Sequence, residues 1–544
     1  MEERHPNSTY FITIFIISGL LSTVGESSKP YANSTEFPAP LPNDLSSLPN
    51  LFANELRLDP DSINLASTDY GNIFRVFPAA VLHPTSLNNV VSLIQSSYNS
   101  STPFTIAARG QGHSVQGQAM SQGGVVVNMM SLREHAINNS NNDQSRAFIA
   151  SVFHRPSGKY LHYADVGGEM LWIDVLQDTT KQGFSPVSWT DYLYLSVGGT
   201  LSNAGISGQT FRFGPQISNV HELDVITGTG EFLTCSRSKN SELFYAVLGG
   251  LGQFGIITRA RIALEPAPKR VKWVRMLYND FSVFTRDQER LISIHGRKQR
   301  NALDYVEGFL MMNQQGSPDS WFPSSEHARI TSLVTKYGVI YCLEVAKYYD
   351  DLSRDSVDMD LENLFRGLGH TPGFRYKKDV SYVEFLNRVR VGELQLRSQG
   401  LWDVPHPWLN LFLPKSHISD FNEGVFRNII LKNNITTGLV LFYPMNRNKW
   451  DDRMSASILD EEVFYTVAFL QSTGFDDWQH FDQQNNQVLQ YCKDAGIRIK
   501  QYLPHYRSKE DWAGHFGSKW RTFRERKTQF DPKMILSPGQ MIFN

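Results

Sequence analysis

The hydrophobic and polar positions of the chain follow two different periods, which together predict a fold of mixed helices and strands. Short apolar runs bounded by turn residues predict buried strands at 75–82, 103–108, 124–128, 220–226 and 256–262. After the first of these, residues 84–97 carry apolar side chains at helical spacing behind Thr85 and Ser86, which are typical helix-capping residues. The same spacing predicts helices at 171–181 and 241–248.

A second unit is predicted from about residue 269, where strand-like and helical runs alternate again. Its strands are expected at 271–277, 303–312 and 338–348, and its helices at 280–295, 357–368 and 382–394. The tail then carries Ser537-Pro-Gly-Gln540 between apolar pairs, so we expect it to be tied into the core of the first unit. The predicted division is a signal peptide at 1–28, a linker at 29–55, a first domain in two segments at 56–268 and 495–544, and a second domain at 269–494.

Composition and charge narrow the class of protein. The 544 residues are 41% hydrophobic and 19% charged, which is typical of a globular protein with a large core. A formal charge of −2 argues against a nucleic-acid partner, because neutralising phosphates requires a basic surface. The three cysteines, Cys235, Cys342 and Cys492, are too far apart in sequence for a disulfide framework or a CxxC metal site. We therefore expect no metal.

The N-terminus indicates the secretory pathway. Residues 11–21 are mostly apolar, too few to span a bilayer but sufficient for the core of a signal peptide. No other stretch is long and apolar enough for a membrane span. Asparagines in N-x-S/T sequons fit passage through that pathway, namely Asn33, Asn99, Asn138 and Asn434.

A glycine-rich loop at 107–119 is the first candidate for chemistry. It reads Ala-Ala-Arg-Gly-Gln-Gly-His-Ser-Val-Gln-Gly-Gln-Ala and directly follows a predicted strand. Successive backbone amides in such a loop can bind phosphate oxygens, although most glycine-rich loops are ordinary turns. No structural requirement explains an ionisable ring between tight backbone segments, so His113 is a candidate functional residue.

Two further runs of small residues lie later in the first unit. Residues 186–210 are rich in Gly, Ser and Thr, and Asp191 is the only charged residue among them. Such a run fits a flat polar ligand and a close-packed helix surface equally well. Residues 249–255 match GxGxxG, but they lie between a predicted helix and a predicted strand. A dinucleotide-binding fold requires the reverse order, so we reject that interpretation.

The second unit offers two candidate pocket segments. Glu307 lies on a predicted strand and shares a face with Tyr305 and Phe309, so it is either exposed at an edge or buried with a function. Residues 405–416 place aromatic and amide groups around Trp408 that could line a pocket. A core strand with Trp408 as filler is the alternative interpretation.

Several of these motifs in combination resemble the plant cytokinin dehydrogenases (cytokinin oxidases), which belong to the vanillyl-alcohol-oxidase-like covalent flavoproteins. The motifs are Arg109-Gly-Gln-Gly-His-Ser114, Trp189-Thr-Asp191, the runs 198–208 and 249–259, Pro405-His-Pro-Trp-Leu-Asn410 and Pro538-Gly-Gln540. The resemblance extends from about Leu56 to the end of the chain. The family loop usually reads Gly-His-Gly-His, whereas Gln111 replaces the first histidine here.

The resemblance implies an α+β, two-domain FAD-binding fold of the vanillyl-alcohol-oxidase/PCMH type, in which an α+β substrate domain caps the flavin. It identifies His113 with the residue bonded to the 8α-methyl group of FAD, so that the FAD is covalent. The other positions that match FAD contacts are Ala108, Gly110, Gln111, Gly112, Ser114, Gln118, Asp191, Ser196, Ser202, Ile206, Ile257, Tyr502, Ser537 and Gln540. The catalytic positions are Asp191 and Glu307, the latter a carboxylate at the pocket mouth, and the substrate positions are Asp191, Glu307, Trp408, Asn410 and Leu503.

The reaction that the resemblance implies is oxidation of an N6-isoprenoid adenine at the carbon next to N6. The imine that forms is hydrolysed to adenine and an unsaturated aldehyde, and a quinone or oxygen accepts the electrons. Asp191 is expected to stabilise the positive charge that develops on N6, and Glu307 to accept a hydrogen bond from the adenine ring. We further expect a monomer in the apoplast, with the vacuole or the endoplasmic reticulum as alternative compartments.

Two other functions remain open from the sequence. A sugar or alcohol oxidase of the same fold is one, but bicovalent sugar oxidases also use a cysteine, and none lies in the run 185–208. A secreted glycoprotein that binds cytokinin without oxidising it is the other. The presence of both His113 and Asp191 argues against that alternative.

Overall fold

A computed structural model describes residues 45, 48–52, 54–140, 151–154, 162–295, 302–312, 320–432 and 438–543. The predicted signal peptide, most of the predicted linker and the sequons at Asn33 and Asn434 lie outside these residues. Within the described ranges, no helix combines the length and the apolar character that crossing a bilayer requires.

Three β-sheets organise the chain. The first has four strands in the order Leu56–Arg57, Ala80–Leu82, Val125–Asn128 and Ile106–Arg109. Its last three strands are parallel, so the chain must cross over between them, and the helix Leu87–Asn99 makes one of these connections. Leu93 and Ile94 of that helix are fully buried in the core against the sheet.

The start of that helix follows the predicted capping pattern. Ser86 is the N-cap residue in an extended conformation. The Asn89 side-chain oxygen accepts hydrogen bonds from the backbone amides of Thr85 (3.1 Å) and Ser86 (2.9 Å). These bonds satisfy amide groups that have no partner within the helix.

The second sheet is antiparallel and is built around the long strand Ile256–Pro266. This strand pairs with three others, namely His162–Gly167, Phe184–Pro186 and Val220–Ile226. The strands Ser151–His154 and Phe232–Ser236 complete it at its two edges. The helix Ser241–Val247 precedes the glycine segment and the strand Ile256–Pro266 follows it. This order confirms that the GxGxxG match is not a dinucleotide-binding motif.

The third sheet has eight antiparallel strands. Their order is Arg375–Ser381, Arg270–Tyr278, Val339–Tyr349, Tyr305–Met312, Leu439–Asn446, Val463–Leu470, Leu409–Pro414 and Lys500–Gln501. Tyr305 and Phe309 on one face share a hydrophobic core with Val197 and Leu201 of the first domain. Val306 on the opposite face belongs to a separate core. One face of this sheet therefore covers the first domain.

Helices enclose the three sheets. Besides those already named, they are Leu48–Leu51, Pro60–Ala66, Met130–Ser140, Trp172–Lys181, Val197–Leu201, Thr210–Phe213, Phe281–Ser293, His327–Tyr337, Val357–Phe365, Tyr382–Leu386, Arg388–Ser398, Ile418–Phe421, Trp478–Asp494, Lys509–Phe516 and Trp520–Phe530, with a π-helical turn at Asn422–Leu431. The single helix predicted at 382–394 is wrong, because Asn387 separates two helices. This break places Arg388 at the start of the second helix.

The C-terminal tail returns to the first sheet, as we expected. Leu536 forms a parallel bridge with Ile106, and the Ser537 amide donates a 2.9 Å hydrogen bond to the Ile106 carbonyl. No change of sheet marks the boundary predicted after residue 494, since Lys500–Gln501 still extends the third sheet. The tail thus connects the third sheet back to the glycine-rich loop.

Candidate active site

Two glycines with positive φ shape the loop that carries His113. The φ angles are +76° at Gly112 and +79° at Gly117, in a region where a side chain is strained. The Gly112 carbonyl accepts a hydrogen bond from the Tyr70 amide at 2.8 Å, and the Ser114 carbonyl accepts one from Gly71 at 3.1 Å. The segment 69–71 therefore holds the loop in place.

The anchor of the loop is the buried carboxyl of Asp69. One of its oxygens, Oδ2, accepts hydrogen bonds from the Ser114 hydroxyl and the Gly117 amide, both at 2.8 Å. The other oxygen, Oδ1, is buried without a hydrogen-bond partner. Burial raises the pKa of Asp69 to about 6. Asp69 could not be identified from the sequence, because a single aspartate before a tyrosine has no distinctive pattern.

His113 is part of a stack of three rings. Tyr70 stacks on His113 with a centroid separation of 4.5 Å and on His406 at 4.0 Å. The Tyr192 ring is tilted against His113, with a centroid separation of 5.0 Å. Burial lowers the pKa of His113 to about 3. The imidazole is therefore neutral at physiological pH and has an unprotonated ring nitrogen.

The small-residue run lies directly against this loop. A Cβ atom at Gly110 would lie 2.1 Å from the Ser196 hydroxyl, and one at Gly198 would lie 3.1 Å from the Ile257 carbonyl. The Ser202 hydroxyl donates to the Gly198 carbonyl at 2.8 Å. These approaches require glycine and bring three separate chain segments together.

The glycine segment 249–255 and the tail complete the same surface. The Leu251 amide donates to the Ser202 carbonyl at 2.8 Å, and the Ser537 hydroxyl donates to the Gly252 carbonyl at 2.9 Å. Gly539 lies so close to the loop that a Cβ there would be 2.2 Å from the Gly117 carbonyl. The Gln540 side-chain oxygen is buried without a partner.

These features fit an FAD molecule. Glycines along three segments let the main chain approach a ligand closely, and the buried Gln540 oxygen without a partner lies beside them, as a polar cofactor held by the main chain would require. Among the predicted FAD contacts, Ala108 lies in the strand Ile106–Arg109, Ile257 is buried and Ile206 is half-buried. Two predicted contacts are placed differently. Gln111 is exposed, and the Gln118 side chain accepts a hydrogen bond from the Gln116 amide at 2.9 Å.

Asp191 lies where the small-residue run meets the third sheet. Its Oδ1 atom is 2.8 Å from Nη2 of Arg388 and accepts a longer hydrogen bond of 3.4 Å from the Tyr305 hydroxyl. The Val306 amide donates to the Gly208 carbonyl at 3.0 Å, which ties the run to the strand that carries Glu307. Arg388 was not predicted from the sequence.

Glu307 is 4% exposed, so it does not lie at an open pocket mouth as we had expected. It is buried because its strand is paired on both sides and its face is covered by the first domain. Burial, and next the negative charge of Asp191, raise the pKa of Glu307 well above its usual value. Its Oε1 atom has no hydrogen-bond partner. Burial and the neighbouring charge of Asp191 therefore favour the neutral form of the Glu307 carboxyl.

Of the three predicted substrate residues from the second domain and the tail, Trp408 lies against the ring stack, and Tyr502 links Asn410 to Leu503. Trp408 contacts Tyr70 edge-on at 5.4 Å, and its indole nitrogen is buried without a partner. The Tyr502 amide donates to the Asn410 carbonyl at 2.9 Å. The next residue, Leu503, adopts a left-handed φ of +56°, which is rare for a branched side chain and is a strained feature typical of functional sites.

Tyrosine hydroxyls connect the two halves of the site. Gly205 donates its amide to the Tyr502 hydroxyl at 3.3 Å, which joins the small-residue run to the tail. Burial, followed by the charges of Glu307 and Asp191, raises the pKa of Tyr443 well above its usual value. Tyr443 therefore lies within electrostatic range of both carboxyls.

Comparisons with known proteins agree with this geometry. Residues 268–543 match the family model described as "Cytokinin dehydrogenase 1, FAD and cytokinin binding", and residues 78–236 match an FAD binding domain. The chain is 56% identical to cytokinin dehydrogenase 3 of Arabidopsis thaliana over 91% of each sequence. It is 46% identical to cytokinin dehydrogenase 5 of Oryza sativa subsp. japonica, covering 98% of this chain and 97% of the relative.

A solved structure confirms the predicted fold class. The crystal structure of a VAO-type flavoprotein from Myceliophthora thermophila C1 superposes with a TM-score of 0.59, covering 88% of this chain and 83% of the other. The sequence identity is 14%, so this likeness concerns the fold alone. The family models and the two relatives show that the chain belongs to the cytokinin dehydrogenases, which are FAD-dependent oxidoreductases.

Proposed function

We propose that this chain oxidises the secondary amine of N6-isoprenoid adenines such as isopentenyladenine and zeatin. The C–H bond next to N6 breaks, and water splits the resulting imine into adenine and an unsaturated aldehyde. Bound FAD supplies the acceptor for the hydride that leaves. The observation that carries this proposal is the Asp191 carboxyl, which lies between the cofactor-binding run and the covering sheet and contacts Arg388 at 2.8 Å.

Asp191 acts on the N6–H group of the substrate. As the hydride leaves the neighbouring carbon, positive charge develops on N6, and a carboxylate within hydrogen-bond distance stabilises that charge and accepts the proton. One such positioned group contributes about 2–4 kcal/mol to the transition state, which corresponds to roughly 10²–10³-fold in rate.

Glu307 acts as a hydrogen-bond donor in this proposal, which revises the expectation that it accepts one. Burial and the charge of Asp191 raise the pKa of this carboxyl and so favour its protonated form, which offers one O–H group to a ring nitrogen of the adenine. A second negative charge beside Asp191 would also raise the cost of ionising the pair. The two carboxyls therefore have different tasks at the same pH.

The rings around Tyr70 supply the apolar part of the site. Trp402 is buried, and its ring centroid lies 5.1 Å from that of Tyr70 and 6.3 Å from that of His113. In this proposal Trp402, Trp408 and Leu503 form the apolar slot for the isoprenoid tail. Aromatic walls also keep bulk water from the reacting amine, which strengthens its interaction with Asp191.

The proposal includes a covalent bond between His113 and the 8α-methyl group of the flavin. The low pKa of the His113 imidazole supports this, because the nitrogen lone pair that forms such a bond is free of a proton. We also propose a quinone or oxygen as the electron acceptor and a monomeric enzyme. Secretion to the apoplast after removal of residues 1–28 is proposed from the N-terminal sequence, and the exposed Asn99 is a candidate glycosylation site.

Two variants test the proposal. We expect Asp191→Asn to retain its flavin and to reduce turnover of isopentenyladenine about 10²–10³-fold, and full turnover would exclude Asp191 as the acceptor. We expect acid-precipitated wild-type protein to stay yellow. His113→Ala should release its flavin into the supernatant, and a chromophore that stays with the precipitated variant would exclude this linkage. Adenine and the aldehyde are measured by chromatography.

A further inference from the structure

The strongest unexplained feature of the molecule is a largely buried cluster of charges around Asp191. Arg388, from the helix Arg388–Ser398, lies 3.9 Å from a Glu307 oxygen and 3.9 Å from a Glu344 oxygen, in addition to its contact with Asp191. Its Nη2 atom is 2.5 Å from the Tyr305 hydroxyl. The proposed reaction leaves this guanidinium without a role.

The sheet register explains why the acidic residues meet. Glu307 and Glu344 are direct partners on neighbouring strands, and Arg275 is the partner of Glu344 on the strand beyond. Directly opposed like charges destabilise a sheet unless a cation separates them. Arg275 Nε lies 2.5 Å from one Glu344 oxygen, so Glu344 is already paired.

Arg388 sets the charge balance of this cluster. Asp191, Glu307 and Glu344 are three carboxyls, and Arg275 and Arg388 are two guanidinium groups. Full ionisation would leave one uncompensated negative charge in a buried space, so the cluster retains one proton. Arg388 is 2.8 Å from Asp191 but 3.9 Å from Glu307, which favours the proton on Glu307.

We propose that Arg388 is a positioning residue that keeps Asp191 ionised and leaves the shared proton on Glu307. This inference rests on the proposed role of Asp191 as acceptor of the N6 proton. Burial opposes the charge of Arg388, but Tyr305, Asp191, Glu307 and Glu344 raise its pKa, so it stays charged. The other titratable groups around it, Tyr348, Tyr443 and Tyr502, are neutral because burial raises the pKa of each.

The test measures flavin reduction by isopentenyladenine in anaerobic rapid mixing, as a function of pH, on holoenzyme. Arg388→Met leaves three carboxyls with one guanidinium, so full ionisation would leave two uncompensated negative charges and the cluster retains a second proton. We expect the midpoint of the acid limb to rise by at least about one pH unit, which is tenfold in the ionisation equilibrium. The rate should fall below wild type at neutral pH and recover as the pH rises.

Three further variants keep the test decisive. Arg388→Lys retains the charge and should keep the wild-type midpoint with a several-fold lower rate. Glu307→Gln/Arg388→Met removes one carboxyl as well, so its midpoint should lie between those of Glu307→Gln and Arg388→Met. Arg354→Met breaks an exposed 3.0 Å ion pair with Asp351 and should change neither quantity.

The inference would be overturned if the midpoint of the acid limb were equal in wild type and Arg388→Met, or equal in Glu307→Gln and the double variant. A purely structural role of Arg388 would lower the rate equally at every pH. If Arg388→Met does not retain its flavin, the comparison of Glu307→Gln with the double variant decides. Failure of the proposed function has a different signature, namely full activity of Asp191→Asn whatever Arg388→Met does.

Discussion

The buried ion pair between Lys527 and Asp531 offers the sharpest test of how the tail is held. The two side chains are 1% and 0% exposed, and their charged atoms are 2.8 Å apart. Lys527 also donates to the Gln253 carbonyl (3.1 Å), the Gln253 side chain (2.9 Å) and the Leu536 carbonyl (3.1 Å). One ammonium group thus joins the glycine segment to the tail.

We predict that Lys527→Met strongly destabilises the protein. The variant leaves a buried Asp531 carboxylate with only the backbone amides of Ile535 and Leu536 as donors. Breaking a buried pair in this way costs about 3–5 kcal/mol. At about 2–4 °C per kcal/mol for a unit of 150–250 residues, the Tm should fall by roughly 6–20 °C. Thermal unfolding followed by circular dichroism measures this.

Two comparisons show whether the cost arises from the buried charge. Lys527→Met/Asp531→Asn removes the uncompensated charge and keeps an acceptor for one of the two amides, so it should recover part of the lost Tm. Arg521→Met removes the exposed Arg521–Glu525 pair on the same helix and should leave the Tm unchanged. A Tm for Lys527→Met within experimental error of wild type, or no recovery in the double variant, would refute the reasoning.

Two further predictions concern backbone strain and pH. Gly252→Ala should destabilise the protein by about 1–3 kcal/mol, because φ is +71° and the new Cβ would lie 2.5 Å from the Ser537 hydroxyl. Gly496→Ala is the control, with φ of +68° and open space around it, and should cost less; equal losses of Tm in the two variants would contradict the predicted collision. Burial lowers the pKa of His515 to about 3, so the unfolded chain binds its proton more tightly. The stability that neutral His515 contributes is complete above about pH 6.5 and is lost towards pH 3. His515→Phe should therefore make the Tm fall less steeply on acidification. An unchanged slope of Tm against pH would argue against this role of His515.

Local sequence patterns predicted much of the fold. The strand at 220–226 has the predicted bounds, and the helix Trp172–Lys181 differs from its prediction by one residue, because periodicity and capping are properties of neighbouring residues. The break at Asn387 was missed, since 382–394 keeps a helical pattern through it. The second helix begins with Arg388, whose contact with Asp191 spans 197 residues of sequence and is therefore invisible to a local pattern.

Only part of the candidate site could likewise be predicted from the sequence. Glycines and His113 could be identified because their residue types are unusual in a loop, and the family resemblance supplied the rest. The stack of Tyr70 on His113 and His406 could not, because three aromatic residues from distant segments show no local spacing. Nor does the sequence show that Glu307 faces Glu344, since strand register depends on which strands pair.

The contact between Asp191 and Arg388 has a consequence for engineering this enzyme. The Asp191 carboxylate belongs to the first half of the chain and the Arg388 guanidinium to the second, so each half contributes one member of a charge pair. Chimaeras that join the halves of two related parents will be competent only if both parents place these partners alike. A recombination library should therefore inherit residues 191, 307, 344 and 388 as one block.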